Sequence, residues 1–166
     1  MQPASRPNTL PAITLIVLCL ATLVSVMNAS MSAIVLPRVQ DEFGVPDDTL
    51  AWFVTAFLIP FATGTVVYGR LADMYGTRKL LIFGIALFAA ASFGVAAAPE
   101  FGWAIAARAI QGFGATAIPS LSIATIVRTT EGAARGRALG ATVMAVGIGF
   151  AAGPVAGGAL AEWADW

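Results

Sequence analysis

Long apolar runs alternate along the chain with short clusters of charge. No charged residue occurs between Arg6 and Arg38, Asp48 and Arg70, Lys79 and Glu100, Arg108 and Arg128, or Arg137 and Glu162. An apolar run of about 20 residues spans roughly 30 Å as a helix, the thickness of a bilayer's hydrocarbon core. The gaps predict spans near 12–36, 49–69, 80–98, 102–127 and 138–161, after an amino-terminal tail at 1–11. The first apolar stretch exceeds the roughly 7–15 residues of a signal-peptide core, so a retained helix is expected. The pattern therefore predicts an all-α, integral membrane helical bundle with five transmembrane helices.

Composition sharpens this and removes other classes. The chain is 58% hydrophobic and 11% charged, where a soluble domain carries about 25% charged residues. There is no histidine and one cysteine, Cys19. An internal disulfide is thereby excluded, and no metal or other cofactor is expected. No nucleophile with a nearby base is present, so an enzyme is not expected. Net charge is zero, which leaves no electrostatic footprint for nucleic acid. The partner this composition demands is the lipid bilayer.

The placement of charge then gives a sidedness. Arg6, Arg70, Arg78, Lys79, Arg128, Arg135 and Arg137 fall on one side if the spans alternate, with Arg38 alone on the other. The positive-inside rule puts the amino terminus and both basic loops in the cytoplasm. The carboxyl end then lies outside, where Trp163 and Trp166 suit an interfacial aromatic belt. The 37–48 link is short and acidic, and Gly44 and Pro46 break the helix there.

Four local patterns carry candidate chemistry. Between the second and third spans, Gly69 and Gly76 suit a tight turn. Asp73 can sit at the positive end of the third helix dipole, with Arg78 and Lys79 able to pair with it or to anchor anionic lipid. These charges could equally do no more than fix topology. Arg108 is the one charge placed inside a span, with Gln111, Gly112 and Ala115 on its face. It faces either an internal cavity, as buried charge usually does, or snorkels to the outer interface. Thr22, Ser25, Asn28 and Ser32 form a polar stripe on the first helix, pointing to a cavity. Ala141, Ala145, Gly149, Gly153, Gly157 and Ala161 make a small-residue ridge on the fifth helix, suited to close helix packing. Pro60, Pro119 and Pro154 are expected to bend their helices, and Glu131 and Arg135 could pair on a helical loop. Gly147-Ile148-Gly149-x-x-x-Gly153 mimics a dinucleotide loop but lies in an apolar run with no preceding strand, so it is rejected.

Several of these segments also carry a family resemblance. Gly69-Arg70-Leu71-Ala72-Asp73-Met74-Tyr75-Gly76-Thr77-Arg78-Lys79 resembles the signature loop between helices 2 and 3 of major facilitator superfamily transporters. Arg108-Ala109-Ile110-Gln111-Gly112-Phe113-Gly114-Ala115 resembles the superfamily's fourth-helix pattern. Gly149-Phe150-Ala151-Ala152-Gly153-Pro154-Val155-Ala156-Gly157-Gly158 resembles the fifth-helix antiporter pattern of proton-coupled efflux members. Val35-Leu36-Pro37, closing the first helix, and Trp52 resemble the 14-span drug-efflux branch.

The resemblance implies an amino-terminal six-helix half built from two inverted repeats, an architecture for which this superfamily is itself a standard example. It implies multi-pass placement in the cell's inner membrane and proton-coupled efflux of amphipathic drugs or metabolites. The alternatives are a facilitator or uptake carrier without proton antiport, and an inactive fragment. Five spans fall short of the six-helix half, so a sixth helix and a carboxy-terminal half are expected as partners. Without them the ridge, the Asp73 loop and the Arg108 face should lack partners and drive self-association.

By resemblance, Arg108, Asn28 and Gln111 serve transport and proton coupling. Gly69, Asp73, Gly76, Arg78 and Lys79 form a conformational latch toward the other half. Gly149, Gly153, Pro154, Gly157 and Gly158 form a helix-packing motif that faces that half. The chain departs from the family at Asn28, where aspartate is usual, and at Met74 and Thr77, where a basic residue is usual.

Overall fold

The computed structural model describes residues 10–163, with side chains through 159. Arg6, Asp165 and Trp166 lie outside the described residues, as do the side chains of Ala161, Glu162 and Trp163. Five helices follow one another: α1 (Ala12–Phe43), α2 (Asp47–Tyr75), α3 (Thr77–Ala96), α4 (Phe101–Thr129) and α5 (Gly132–Trp163). Each contains a stretch long and apolar enough to cross a membrane. No strand occurs among the described residues. A helix satisfies its own backbone hydrogen bonds, which an apolar solvent requires.

The outward faces are as apolar as the core. Ile13, Phe93 and Val155 are 70–77% exposed, which water would penalise and lipid would not. α4 is the most buried helix. It packs against α2 and α3, while α5 packs against α1.

The helices overrun the charge-free runs. Pro37 does not end α1, which continues six residues further to Phe43. A proline there removes one helical hydrogen bond, but burial on the far side holds the extension. Val39 is fully buried with Leu50, Phe53 and Ala104, joining α1, α2 and α4. The helix then stops at Gly44, whose φ of 59° is a left-handed cap with its amide bonded to Gln40 O. Pro46 caps α2 without a side-chain hydrogen bond.

The turn between α2 and α3 is shorter than expected. Gly76 alone breaks the helix, with φ 85°. Gly69 is a helical residue of α2 with open space around it, so it has no part in the turn. The link between α4 and α5 is Thr130 and Glu131 alone, and Arg135 does not pair with Glu131. It donates instead from Nε to Thr130 O (2.9 Å) and from Nη2 to Val127 O (3.0 Å). A cation thus caps the orphan carbonyls at the end of α4, where the helix dipole favours it.

Two of the bundle's interfaces are matched in register, beside the α3–α4 contact. On α4, Arg108, Gly112 and Thr116 meet the α2 carbonyls of Phe53, Phe57 and Phe61, both series stepping by four. Thr116 Oγ1 donates to Phe61 O (2.7 Å), and a Cβ on Gly112 would lie 2.2 Å from Phe57 O. On α5, a Cβ on Gly149 would lie 2.8 Å from Leu23 O, and one on Gly153 would lie 2.9 Å from Met27 O. Gly157 sits over Met31 and Ile34. The ridge on α5 is therefore covered by α1. The expectation that it lacks a partner in this chain does not hold.

Candidate functional site

Arg108 is the eighth residue of α4, roughly two turns from its start. It is 3% exposed. Burying a guanidinium is costly unless its donors are satisfied. Nη1 donates to Gln111 Oε1 (2.7 Å), Nη2 donates to Ser32 Oγ, and Nε donates to Phe53 O (3.4 Å). The guanidinium carbon also lies 4.6 Å from the Phe53 ring centroid and 4.9 Å from that of Phe57. These ring faces attract a cation electrostatically. The head group is thus held inside the bundle, and the snorkelling reading does not describe this structure.

The hydrogen bonds extend to α1 and α3. Ser32 Oγ donates to the Asn28 carbonyl (3.1 Å), one turn back on α1. Gln111 Nε2 donates to Ser92 Oγ (2.8 Å), which in turn donates to Phe88 O (2.8 Å). Gln111 has its amide oriented by opposite partners, a donor on one side and a hydroxyl on the other. Four helices therefore converge on one cation.

Beside Arg108 lies a cavity of about 160 Å³, toward the end of the bundle that carries the α1–α2 and α3–α4 links. Asn28, Ser32, Ser92, Arg108 and Gln111 give it polarity. Met31, Val35, Phe53, Val95 and Ala96 complete its walls. Among the described residues, no carboxylate lines it. Asn28 Oδ1 is buried and has no hydrogen-bond partner.

The rest of the α1 stripe faces inward too. Thr22, Ser25 and Ser32 are buried, and Ser25 Oγ donates to Ala115 O at 3.4 Å. Ser92 escaped the sequence reading. Its signal was available: it is the one hydroxyl in the apolar body of α3, beyond Thr77 at the start. Phe53 and Phe57 gave no signal, because aromatic residues are ordinary in an apolar run.

Asn28, Arg108 and Gln111 come together in the structure, and the loop set lies apart from them. Asp73, in the last turn of α2, pairs with Arg128 of α4 at 2.5 Å rather than with Arg78 or Lys79, which are exposed. The pair is open to solvent, with Arg128 49% and Asp73 70% exposed. A double-mutant cycle of Asp73→Asn and Arg128→Gln is expected to give a coupling below about 1 kcal/mol. Unfolding titrations in detergent micelles measure it, and a coupling of several kcal/mol would show that the pair is not a surface one. On α5, Gly149, Gly153 and Gly157 are buried against α1, whereas Pro154 is exposed and Gly158 has open space around it.

Residues 18–166 match the family model described as Major Facilitator Superfamily. The chain belongs to the major facilitator superfamily. It is similar to the puromycin resistance protein pur8 of Streptomyces alboniger, 37% identical over 153 residues, covering 92% of this chain and 30% of that protein. It is also similar to the cephamycin export protein CmcT of Amycolatopsis lactamdurans, 34% identical over 155 residues, with 92% and 32% covered. The riboflavin transporter RibZ of Clostridioides difficile is 27% identical over 154 residues, with 93% and 34% covered. The chain spans about a third of the length of the curated relatives it matches. Major facilitator proteins are transporters rather than enzymes, and this member is a multi-pass membrane protein.

Proposed function

We propose that this major facilitator chain forms part of an exporter of amphipathic small molecules, placed in the cell membrane with its amino terminus cytoplasmic. The observation that carries the reading is the buried Arg108 beside a mixed polar and apolar cavity, joined to all four of the helices α1 to α4. A charge held at such cost within a membrane bundle marks a substrate or ion path. The similarity to puromycin resistance and cephamycin export proteins supports export, and the basic loops support the orientation. Exchange against protons is the proposed driving force, by resemblance of the α5 Gly-Pro segment to antiporter members. Asp73, with Gly69, Gly76, Arg78 and Lys79, is proposed to contribute to conformational control at the basic end. The remaining helices of the fold, from a longer chain or a second copy, complete the path.

A second reading, a carrier without proton antiport, is favoured by one observation. Asn28 stands in the cavity where, by the family resemblance, an acid would carry the proton, and among the described residues no carboxylate lines the cavity. Efflux of a fluorescent amphipathic dye from everted vesicles, with and without an imposed pH gradient, separates the two. Gradient-dependent flux supports antiport. Flux that ignores the gradient supports the carrier, and no flux with dyes or with acids overturns the transport reading.

A further inference from the structure

We propose that the cavity beside Arg108 binds a small organic anion: a carboxylate with an adjacent hydroxyl or amino group, carried on an apolar body. The inference rests on the transport reading and names the class of molecule its site accepts.

Charge is the first ground. The guanidinium is 3% exposed, yet its partners are a backbone carbonyl, an amide oxygen, a hydroxyl and two rings, all neutral. The ion pair of Arg128 with Asp73 lies at the opposite end of the helices. A buried cation without a countercharge retains most of its attraction for an anion, because the surroundings screen poorly. A cationic ligand would meet that same charge as repulsion. Asparagine at position 28, where the family resemblance leads to an expectation of aspartate, brings no negative charge to the cavity wall.

Geometry is the second ground. One hydrogen on Nη1 and one on Nη2 are engaged, so each terminal nitrogen keeps a second N–H for a ligand. A planar pair of donors matches the two oxygens of a carboxylate. The third ground is Asn28 Oδ1, a buried acceptor with no donor. A bare carboxylate cannot satisfy it, whereas a hydroxyl or ammonium beside the carboxylate can. Met31, Val35, Val95 and Ala96 provide apolar wall for the remainder. A volume of about 160 Å³, against roughly 30 Å³ per liquid water, takes a molecule of about one aromatic ring.

The test is equilibrium binding to the purified protein in lipid nanodiscs, by calorimetry, with three probes. Mandelate carries a ring, a carboxylate and a hydroxyl; phenylacetate lacks the hydroxyl; 2-phenylethanol lacks the carboxylate. Mandelate should bind about tenfold more tightly than phenylacetate, and both more tightly than 2-phenylethanol. Asn28→Ala should erase the mandelate preference. Asn28→Asp should weaken both acids by more than about tenfold, and Arg108→Gln should remove the preference for acids over the alcohol. Circular dichroism and thermal melts report whether each variant folds. Should Arg108→Gln fail to fold, Asn28→Asp, with nearly unchanged side-chain volume, carries the test. Equal affinities for all three probes in the unsubstituted protein, absence of binding, or an acid preference that survives Asn28→Asp would overturn the proposal. The vesicle flux assay is independent of this one. Flux without acid binding removes only the anion site, and acid binding without flux of dye or acid removes only the transport reading.

Discussion

Gly112→Ala is expected to unfold the α2–α4 interface, although alanine is the better helix former. A Cβ at position 112 would stand 2.2 Å from the Phe57 oxygen and 2.9 Å from its carbonyl carbon. Both are backbone atoms of the facing helix, so no rotamer change relieves the overlap. α2 must retreat, and Arg108 and Thr116, which donate to Phe53 O and Phe61 O on either side, lose their geometry with it. Overpacking costs about 1–3 kcal/mol where neighbours can adjust, and this site should exceed that range.

Gly153→Ala is expected to be milder. Its closest obstacle is the Ser30 hydroxyl, which can rotate, before the Met27 carbonyl at 2.9 Å. Leucine at 153 should be as damaging as alanine at 112, because the branch extends into α1. Gly147→Ala meets open space and should be neutral, or stabilising by up to about 1 kcal/mol from helix propensity. Unfolding by SDS titration from mixed micelles, followed by circular dichroism, measures all four. If alanine at 112 and at 147 behave alike, the tight contact is not a determinant of the fold.

Arg108→Ala should insert into the membrane at least as well as the parent chain and transport nothing. Insertion gains because a charge worth about 2.5–3.5 kcal/mol at a helix centre is gone. Transport is lost because Ser32 Oγ, Gln111 Oε1 and Phe53 O lose their shared donor, and the cavity loses its charge. Arg108→Lys should restore less than about a tenth of the rate, since a single ammonium cannot serve three directions at once. Flux in everted vesicles, normalised to inserted protein, is the measurement. Parental flux in the alanine variant would place the substrate path elsewhere in the molecule.

Much of the scaffold was legible without coordinates. Burial of charge in lipid is so unfavourable that the charge-free runs predict five spans, and the structure has five helices long and apolar enough to cross a membrane, each running past its charge-free core or ending within a few residues of it. Arg108 stood out for the same reason: a single charge inside a span must either find an internal partner or snorkel to the interface, and the structure takes the first course. The short links were legible at Gly44 and Gly76, whose positive φ values suit glycine.

The tertiary structure decided which surfaces meet. Hydropathy has no say in this, because lipid and protein interior are equally apolar and both faces of each helix therefore read alike. Packing took α1 past Pro37 by burying Val39, beyond what local propensity allows. It gave the ridge of α5 to α1, Asp73 to Arg128, and Arg135 to the end of α4 rather than to Glu131. It also brought Ser92 to Gln111 and buried Asn28 Oδ1 without a hydrogen-bond partner. The sequence by itself determined which segments are apolar enough to cross a bilayer and singled out one arginine among them, through the cost of solvating charge in hydrocarbon. Which atoms shelter it depends on backbones approaching at a shared register, where a single Cβ decides whether two helices can touch, and that is a property of the assembled bundle.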